Sequence, residues 1–277
     1  MIAVRLKPLL LSVGFCLGTS IPASVIAAEG QKAKDTMVLT SSTTTAFIDR
    51  LKKTCESIGL PQERMDHLLT LAKAEPEKMN ADLSAALRVD PYLRILVDKQ
   101  HGLSSTYEPP DLVPLQDRAY VTSKKDLVLR RSAAESLKTM ALEARKQGVT
   151  LVVSSTYRSF AYQKGVYNRI VAELGKEAAD RESAEPGHSQ HQLGLAVDFG
   201  SIDDSFAQTK AGKWLAENAS RFGWSLSYPH NLEALTGYRW ESWHYRYVGP
   251  QVNRVIEGYF GGIQQYALEF LARWEKE

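Results

Sequence analysis

Cysteine is nearly absent from the chain: Cys16 and Cys55 are the only two in 277 residues. A scaffold stapled by several disulfides is therefore excluded. Charge of one sign is missing too. The 34 Lys and Arg residues against 32 Asp and Glu give a net charge of +2. No basic run marks a nucleic-acid-binding arm, and no acidic block marks a solvating tail. Long apolar runs are also lacking. The stretch Leu9 to Leu17 is short for a membrane span and is interrupted by Gly14, with Gly18, Thr19 and Ser20 just beyond it. No internal repeat occurs, which argues against a solenoid.

The apolar stretch instead has the layout of a secretory signal. Arg5 and Lys7 precede it, and Pro22, Ala23, Ser24, Ala27 and Ala28 follow. Residues 1–28 are expected to be a signal peptide cleaved near Ala27 or Ala28. The protein is then exported, to the periplasm or the outer cell envelope, with no membrane span left. Bulky Phe15 before Cys16 argues against a lipid anchor. Removal of residues 1–28 takes away Arg5, Lys7 and Cys16, leaving 32 basic against 32 acidic residues and Cys55 alone. The fold must then hold by its core and a metal, with Cys55 a partly buried structural thiol.

A hydrophobic fraction of 44% with five tryptophans supports a substantial core. Residues 29–45, ending in a Ser/Thr run, are expected to be a flexible linker. Residues 46–94 form an N-terminal helical region: Phe47, Leu51, Cys55 and Ile58 recur at helical spacing, Gly59-Leu60-Pro61 stops that helix, and Gln62 to Ala74, Ala81 to Leu87 and Pro91 to Val97 follow. This region either packs on the domain behind it or serves as a spacer or docking unit. Residues 95–250 form the main domain. Prolines 109, 110 and 114 predict an irregular strap. A helix is expected over Arg131 to Gln147 with Ala134, Leu137, Met140, Ala141 and Ala144 inward. A buried strand follows over Val149 to Ser154, a helix over Tyr162 to Leu174, and a polar loop over 175–187. Strands are expected over Leu195 to Phe199, near Trp224, and over Trp243 to Val248, with a helix over Ala211 to Phe222. Residues 251–277 read as a C-terminal helical tail broken near Gly261-Gly262. Helices and strands do not alternate strictly, so the expected class is α+β, a small mixed or antiparallel sheet flanked by helices.

Two segments carry chemistry: Ser189 to Asp198, and Glu241 to Tyr247. They offer two imidazoles and two carboxylates. His191, Asp198 and His244 suit one zinc ion with a position left open, and Gly194 lets the backbone bend between the first two. Glu241 lies three residues before His244, an odd separation that would send the side chains to opposite faces of a straight strand. A turn or bulge is therefore expected before His244, bringing Glu241 beside a water on the metal as general base. A closed structural site would have no use for this fourth group, a second carboxylate. Arg158, after the buried strand, suits a substrate carboxylate, a developing oxyanion, or a purely structural ion pair. Ser155, Gln163 and Ser189 are the nearest polar candidates for substrate binding or for supporting hydrogen bonds. His188 reads as a loop or rim histidine, Trp224 and Trp243 as core, and Tyr228 as either core or site.

The pattern Ser189-x-His191-x-x-Gly194-x-Ala196-x-Asp198, followed by Glu241-x-Trp243-His244, resembles the VanY-type D-alanyl-D-alanine carboxypeptidases. That family includes L,D-carboxypeptidases and is related to D,D-dipeptidases. Tyr107 and Pro109, the segment Tyr157-Arg158-Ser159 with Gln163, and Tyr245 to Gly249 fit the same resemblance, which covers about residues 95–250. Ser242 stands where the family commonly has proline. The resemblance implies a hedgehog/D,D-peptidase-like fold and a monomeric zinc peptidase trimming peptidoglycan stem peptides. By position it makes His191, Asp198 and His244 the ligands, Glu241 the base and Arg158 the carbonyl-stabilising group. A binding module without turnover is the competing class, and Glu241 argues against it.

Overall fold

The Ser/Thr run at residues 41–45 is helical rather than linker, forming the start of α1 (Ser41–Ser57). The apolar stripe of Phe47, Leu51 and Cys55, all buried, holds this helix down, and Ser and Thr are tolerated in its first turns. This is a computed structural model that describes residues 41–276. The expected signal peptide and residues 29–40 of the expected linker lie outside the described residues. Helix α1 gives way after Ser57 to a turn through Gly59, whose φ of 66° only glycine adopts cheaply. Then come α2 (Gln62–Ala74), α3 (Pro76–Leu87) and the short α4 (Pro91–Arg94). Helix α4 stops well before Val97 because Ile95 is already extended.

The strap is less irregular than its prolines suggest. Its β1 (Leu112–Pro114) pairs antiparallel with β3 (Val128–Arg130), with β2 (Val121–Thr122) between them in sequence. Pro114 is tolerated at the end of an edge strand, where no ladder bond is required of it. The chain continues through α5 (Arg131–Lys146), β4 (Val152–Ser155), α6 (Phe160–Leu174), α7 (Lys176–Glu182) and β5 (Ala196–Phe199). It ends with α8 (Lys210–Asn218), β6 (Trp224–Leu226), α9 (Glu233–Thr236), β7 (His244–Tyr247), α10 (Gly249–Phe260) and α11 (Gln264–Trp274). Helix α7 lies in the stretch expected to be loop. Only its Ala179 is buried, so it carries no apolar period to detect. In α5, Ala133 rather than Ala134 is fully buried, beside Leu137, Met140, Ala141 and Ala144.

The main sheet has the order β2-β4-β5-β7-β6. Its β2–β4 pair is parallel and the other pairs are antiparallel. One core lies between this sheet and α5, where Val153, Val197, Phe199, Tyr245 and Trp224 meet Leu137, Met140 and Ala141. A second core joins the two ends of the described chain: α1, α2 and α3 bury Leu51, Leu68 and Leu83 together with Ile256, Phe270 and Leu271 of α10 and α11. Among the described residues, 46–94 and 251–277 pack on each other within the same compact unit as the sheet, in keeping with the first of the two readings given for 46–94. The reason is physical: neither helical segment can bury its apolar face alone. Arg246 on β7 links the layers, its guanidinium donating to the carbonyls of Tyr92, Leu93 and Ile95 at 3.2, 3.4 and 2.7 Å. Among the described residues, no helix is long and apolar enough to cross a membrane.

Candidate active site

Three neighbouring strands present the site on the sheet face opposite α5. Asp198 of β5 stands directly across from His244 of β7, so their side chains share a face. On the other side of β5, Ser155 of β4 pairs with Asp198 while Val153 pairs with Phe199. Two residues of β4 thus oppose one step of β5, a bulge that keeps Val153 in the core and turns Ser155 to the site.

His191 arrives from a 3-10 turn, Gln190–Leu193, that leads into β5 and is capped by the Ser189 hydroxyl accepting from His191 N at 3.3 Å. The turn ends at Gly194 with φ of 66°. A Cβ there would lie 2.8 Å from Leu112 Cδ2, so both backbone and space require glycine. Glu241 is brought round by the turn that the odd spacing calls for: His244 N donates to the Glu241 carbonyl at 3.2 Å. Its carboxylate then lies 3.7 Å from His244 Nδ1.

His191, Asp198 and His244 are all buried, and their candidate ligand atoms lie within 4.8 Å of one another. His191 Nδ1 faces the Thr156 carbonyl at 2.6 Å. A carbonyl only accepts, so Nδ1 carries the proton and Nε2 offers a lone pair. That lone pair faces Asp198 Oδ2 at 3.2 Å. His244 Nδ1 faces Asp198 Oδ1 at 2.9 Å, while its Nε2 faces Gln190 Oε1 at 3.3 Å. Two imidazole nitrogens and a carboxylate thus converge on one point. The donors are the nitrogens and carboxylate oxygen that zinc takes in an open three-residue site. The residues present therefore fit a zinc ion.

The charges agree. Burial and the Arg158 guanidinium push the His191 imidazole down to about 4, leaving it neutral, the form that binds metal. Burial works against ionisation of Asp198, but its charged and hydrogen-bonding neighbours, among them the Arg158 guanidinium that donates to it, outweigh burial and hold the carboxyl well below its usual range. Glu241 goes the other way: burial, then the nearby Asp198 carboxylate, raise it well above the ordinary glutamate range. Opposite environments thus separate two neighbouring carboxyls, as acid–base sites require.

Arg158 donates from Nη2 to Asp198 Oδ2 at 2.6 Å, from Nε to Ser155 Oγ at 2.9 Å and from Nη1 to Gln163 Oε1 at 3.4 Å. Two of its five N–H groups remain for a ligand. The expected substrate contacts therefore divide. Ser155 accepts from Arg158 and does not line the cavity. Gln163 is buried, with its amide nitrogen donating to Ser183 Oγ at 3.1 Å and the Ala184 carbonyl at 2.8 Å. Both hold Arg158, and Gln163 also ties down the 183–184 loop while lining the cavity; these are supporting hydrogen bonds, one of the two roles expected of them. Ser189 lines the cavity and keeps its hydroxyl proton available.

The cavity has a volume of about 200 Å³ and is bordered by Arg158, Asp198, His191, His244 and Glu241, with Tyr228, Tyr238 and Trp243 as aromatic walls. Tyr228 packs against His244 with ring centroids 4.9 Å apart, so it belongs to the site. His188 does not line the cavity; its Nδ1 donates to the Asp98 carbonyl at 2.7 Å, the act of a loop histidine. Two features had no sequence signal. One is the set of partners of Gln190, which lie 37, 54 and 74 residues away at Ser227, His244 and Gln264. The other is the rim pair Arg239–Glu182, where Nε and Oε2 lie 2.6 Å apart across 57 residues.

Comparison with known proteins places this geometry in a family. The family description "VanY: D-alanyl-D-alanine carboxypeptidase" matches residues 126–250. The Bacillus subtilis protein YodJ is 38% identical over 178 residues, 62% of this chain and 65% of its own. The chain spans less than two thirds of the length of the first curated relatives it matches. Among solved structures, the LdcB LD-carboxypeptidase is 37% identical with a TM-score of 0.54, covering 61% of this chain and 85% of that one. A variant of the vancomycin-resistance D,D-pentapeptidase VanY in complex with Zn(II) is 31% identical with a TM-score of 0.55, covering 64% of this chain and 99% of that one. The fold, the paired motifs and these likenesses converge: the chain belongs to the VanY family, described as D-alanyl-D-alanine carboxypeptidases.

Proposed function

We propose that the chain is an exported zinc-dependent carboxypeptidase that removes the terminal D-alanine from peptidoglycan stem peptides and acts as a monomer. One observation carries the catalytic reading. Glu241 borders the same cavity as His191, Asp198 and His244, yet the three-residue ligand set is complete without it. A zinc ion held by those three would supply Lewis acidity towards a carbonyl oxygen and a water. Glu241 takes a proton from the attacking water as its oxygen bonds to the scissile carbonyl carbon. Arg158 stabilises the negative charge that develops on the carbonyl oxygen. Glu241 then returns the proton to the nitrogen as the C–N bond breaks, and the amino acid leaves.

At about 200 Å³ the cavity is smaller than pockets for drug-sized ligands, roughly 300–1,000 Å³, which suits the small side chains at the end of a stem peptide. The 37% identity with LdcB favours a second reading, cleavage of an L,D bond one residue further in. Both are tested by incubating the protein with purified pentapeptide and tetrapeptide stems and weighing the products. Loss of one alanine from the pentapeptide alone supports the first reading; loss from the tetrapeptide supports the second. Glu241→Ala is expected to retain zinc and lose hydrolysis. Release of alanine at the wild-type rate by this variant, or by fully metal-free protein, overturns the mechanism.

A further inference from the structure

A chain of amide groups leads from the edge of the sheet to His244. The edge strand β6 offers the Ser225 carbonyl, which accepts from Gln264 Nε2 at 3.3 Å. Gln264 Nε2 also donates to Ser227 Oγ at 3.2 Å. Gln264 Oε1 accepts from Gln190 Nε2 at 3.2 Å. Gln190 Oε1 in turn accepts from Ser227 Oγ at 2.7 Å and faces His244 Nε2 at 3.3 Å. Gln190, Ser227, Gln264 and His244 are all at most 4% exposed, so water does not compete.

The direction of this chain is fixed at one end. A backbone carbonyl can only accept, so Gln264 must turn its NH2 to Ser225 and its oxygen to Gln190. Gln190 must then turn its NH2 to Gln264 and its oxygen to His244. Reversing either amide sets donor against donor and acceptor against acceptor, at about 1–3 kcal/mol for each buried group left unsatisfied. The last link meets His244 Nε2 with an acceptor. By the same rule Nδ1 also faces an acceptor, Asp198 Oδ1 at 2.9 Å, so the relay decides that Nε2 is the nitrogen that keeps its proton when a metal takes Nδ1.

We propose that Gln264, acting through Gln190, is a positioning residue that sets the tautomer and orientation of His244 for metal binding. The inference rests on the reading of His191, Asp198 and His244 as metal ligands. Gln264 belongs to α11, outside the matched residues 126–250. The C-terminal helices thereby complete the site, where a helical tail alone would only add stability. Thr156 performs the same service for His191, and that arm does not involve Gln264.

Nitrogen-15 NMR of the metal-free full chain at mildly alkaline pH reads the tautomers directly. In the wild type, His244 is expected to carry a proton on Nε2 and His191 on Nδ1. Gln264→Leu is expected to move His244 towards Nδ1–H, leave His191 unchanged as an internal reference, and weaken zinc binding about 10- to 100-fold. Unchanged His244 signals with an unchanged zinc Kd overturn the proposal. Should Gln264→Leu fail to fold, Ser227→Ala removes the hydroxyl shared by Gln190 and Gln264, and the same two outcomes apply. A wild type that binds no zinc while its His244 tautomer still responds to Gln264→Leu overturns the metal reading and leaves the relay intact.

Discussion

Arg158 and Asp198 are joined at 2.6 Å between Nη2 and Oδ2, and that same oxygen lies 3.2 Å from His191 Nε2. The guanidinium therefore touches the carboxylate that faces both imidazoles, and it also borders the cavity. Arg158→Lys keeps the charge but gives up the planar fork with Ser155, Gln163 and Asp198. The expected result is a fall in kcat/KM of about 10²- to 10³-fold, as for loss of an oxyanion-stabilising donor, with zinc content unchanged. Wild-type kcat/KM in this variant would remove Arg158 from the mechanism and leave it a structural ion pair.

Proton release on zinc binding tests the electrostatics of the site. Asp198 is held ionised and His191 neutral, so neither has a proton to lose near neutral pH. Burial and Asp198 raise Glu241, so in the metal-free protein it holds a proton at higher pH than an ordinary glutamate. A nearby cation favours its ionised form. Zinc binding should therefore expel a proton, and affinity should rise with pH until the metal-free Glu241 is itself ionised. Calorimetry in buffers of different ionisation enthalpy counts that proton. Glu241→Gln is expected to abolish the release; a release unaltered by that substitution would assign the proton elsewhere.

Much of the site was legible because it obeys strand arithmetic. Asp198 and His244 each lie on one face by period-two alternation, and the odd spacing from Glu241 to His244 demanded the turn that the structure contains. Gly194 was legible for a similar reason, a bend between two side chains that must meet. The contact of Ser155 and Gln163 with Arg158 was not, because a hydroxyl or amide can face a substrate or a guanidinium, and it is the β4 bulge and the seat of α6 that bring both to Arg158. The contact of Gln190 with Gln264 spans 74 residues and leaves no local pattern. The pairing of N- and C-terminal helices was hidden likewise: each amphipathic stripe is visible alone, and its partner is not.

A second acid-sensitive cluster lies in the helical core. Asp82 accepts from Tyr259 Oη at 2.7 Å and from Lys78 Nζ and Arg254 Nη1, each at 3.1 Å. Burial alone would raise its carboxyl, but these three partners outweigh it and the net direction is downward. A depressed carboxyl stabilises the fold above its unfolded value, about 3.9, and that stability disappears as pH falls through the lower folded value. Asp82→Asn is expected to cost about 1–3 kcal/mol at neutral pH. Urea titrations should show the gap between variant and wild type closing below about pH 4. A gap that stays constant through this range would mean the ionised form of Asp82 contributes nothing.

Trp274 tests whether the two cores unfold together. It stacks on Phe270 with ring centroids 5.4 Å apart and meets the edge of Phe47 at 5.8 Å, with the Arg50 guanidinium 3.8 Å from its ring centroid. It thus pins α11 against α1, while Gln264 on the same α11 reaches the catalytic face. Trp274→Ala opens a cavity in this core and is expected to cost about 3–5 kcal/mol. Since Val38–Glu277 is one compact unit, calorimetry should show a single transition at lower Tm. Zinc binds only the folded site, so saturating zinc should raise that one Tm. If the variant instead shows an early transition that zinc does not move, followed by a later one that it does, the helical core melts independently. In that case α11 would leave the sheet before the site is lost, and zinc binding would persist with Gln264 no longer beside Gln190.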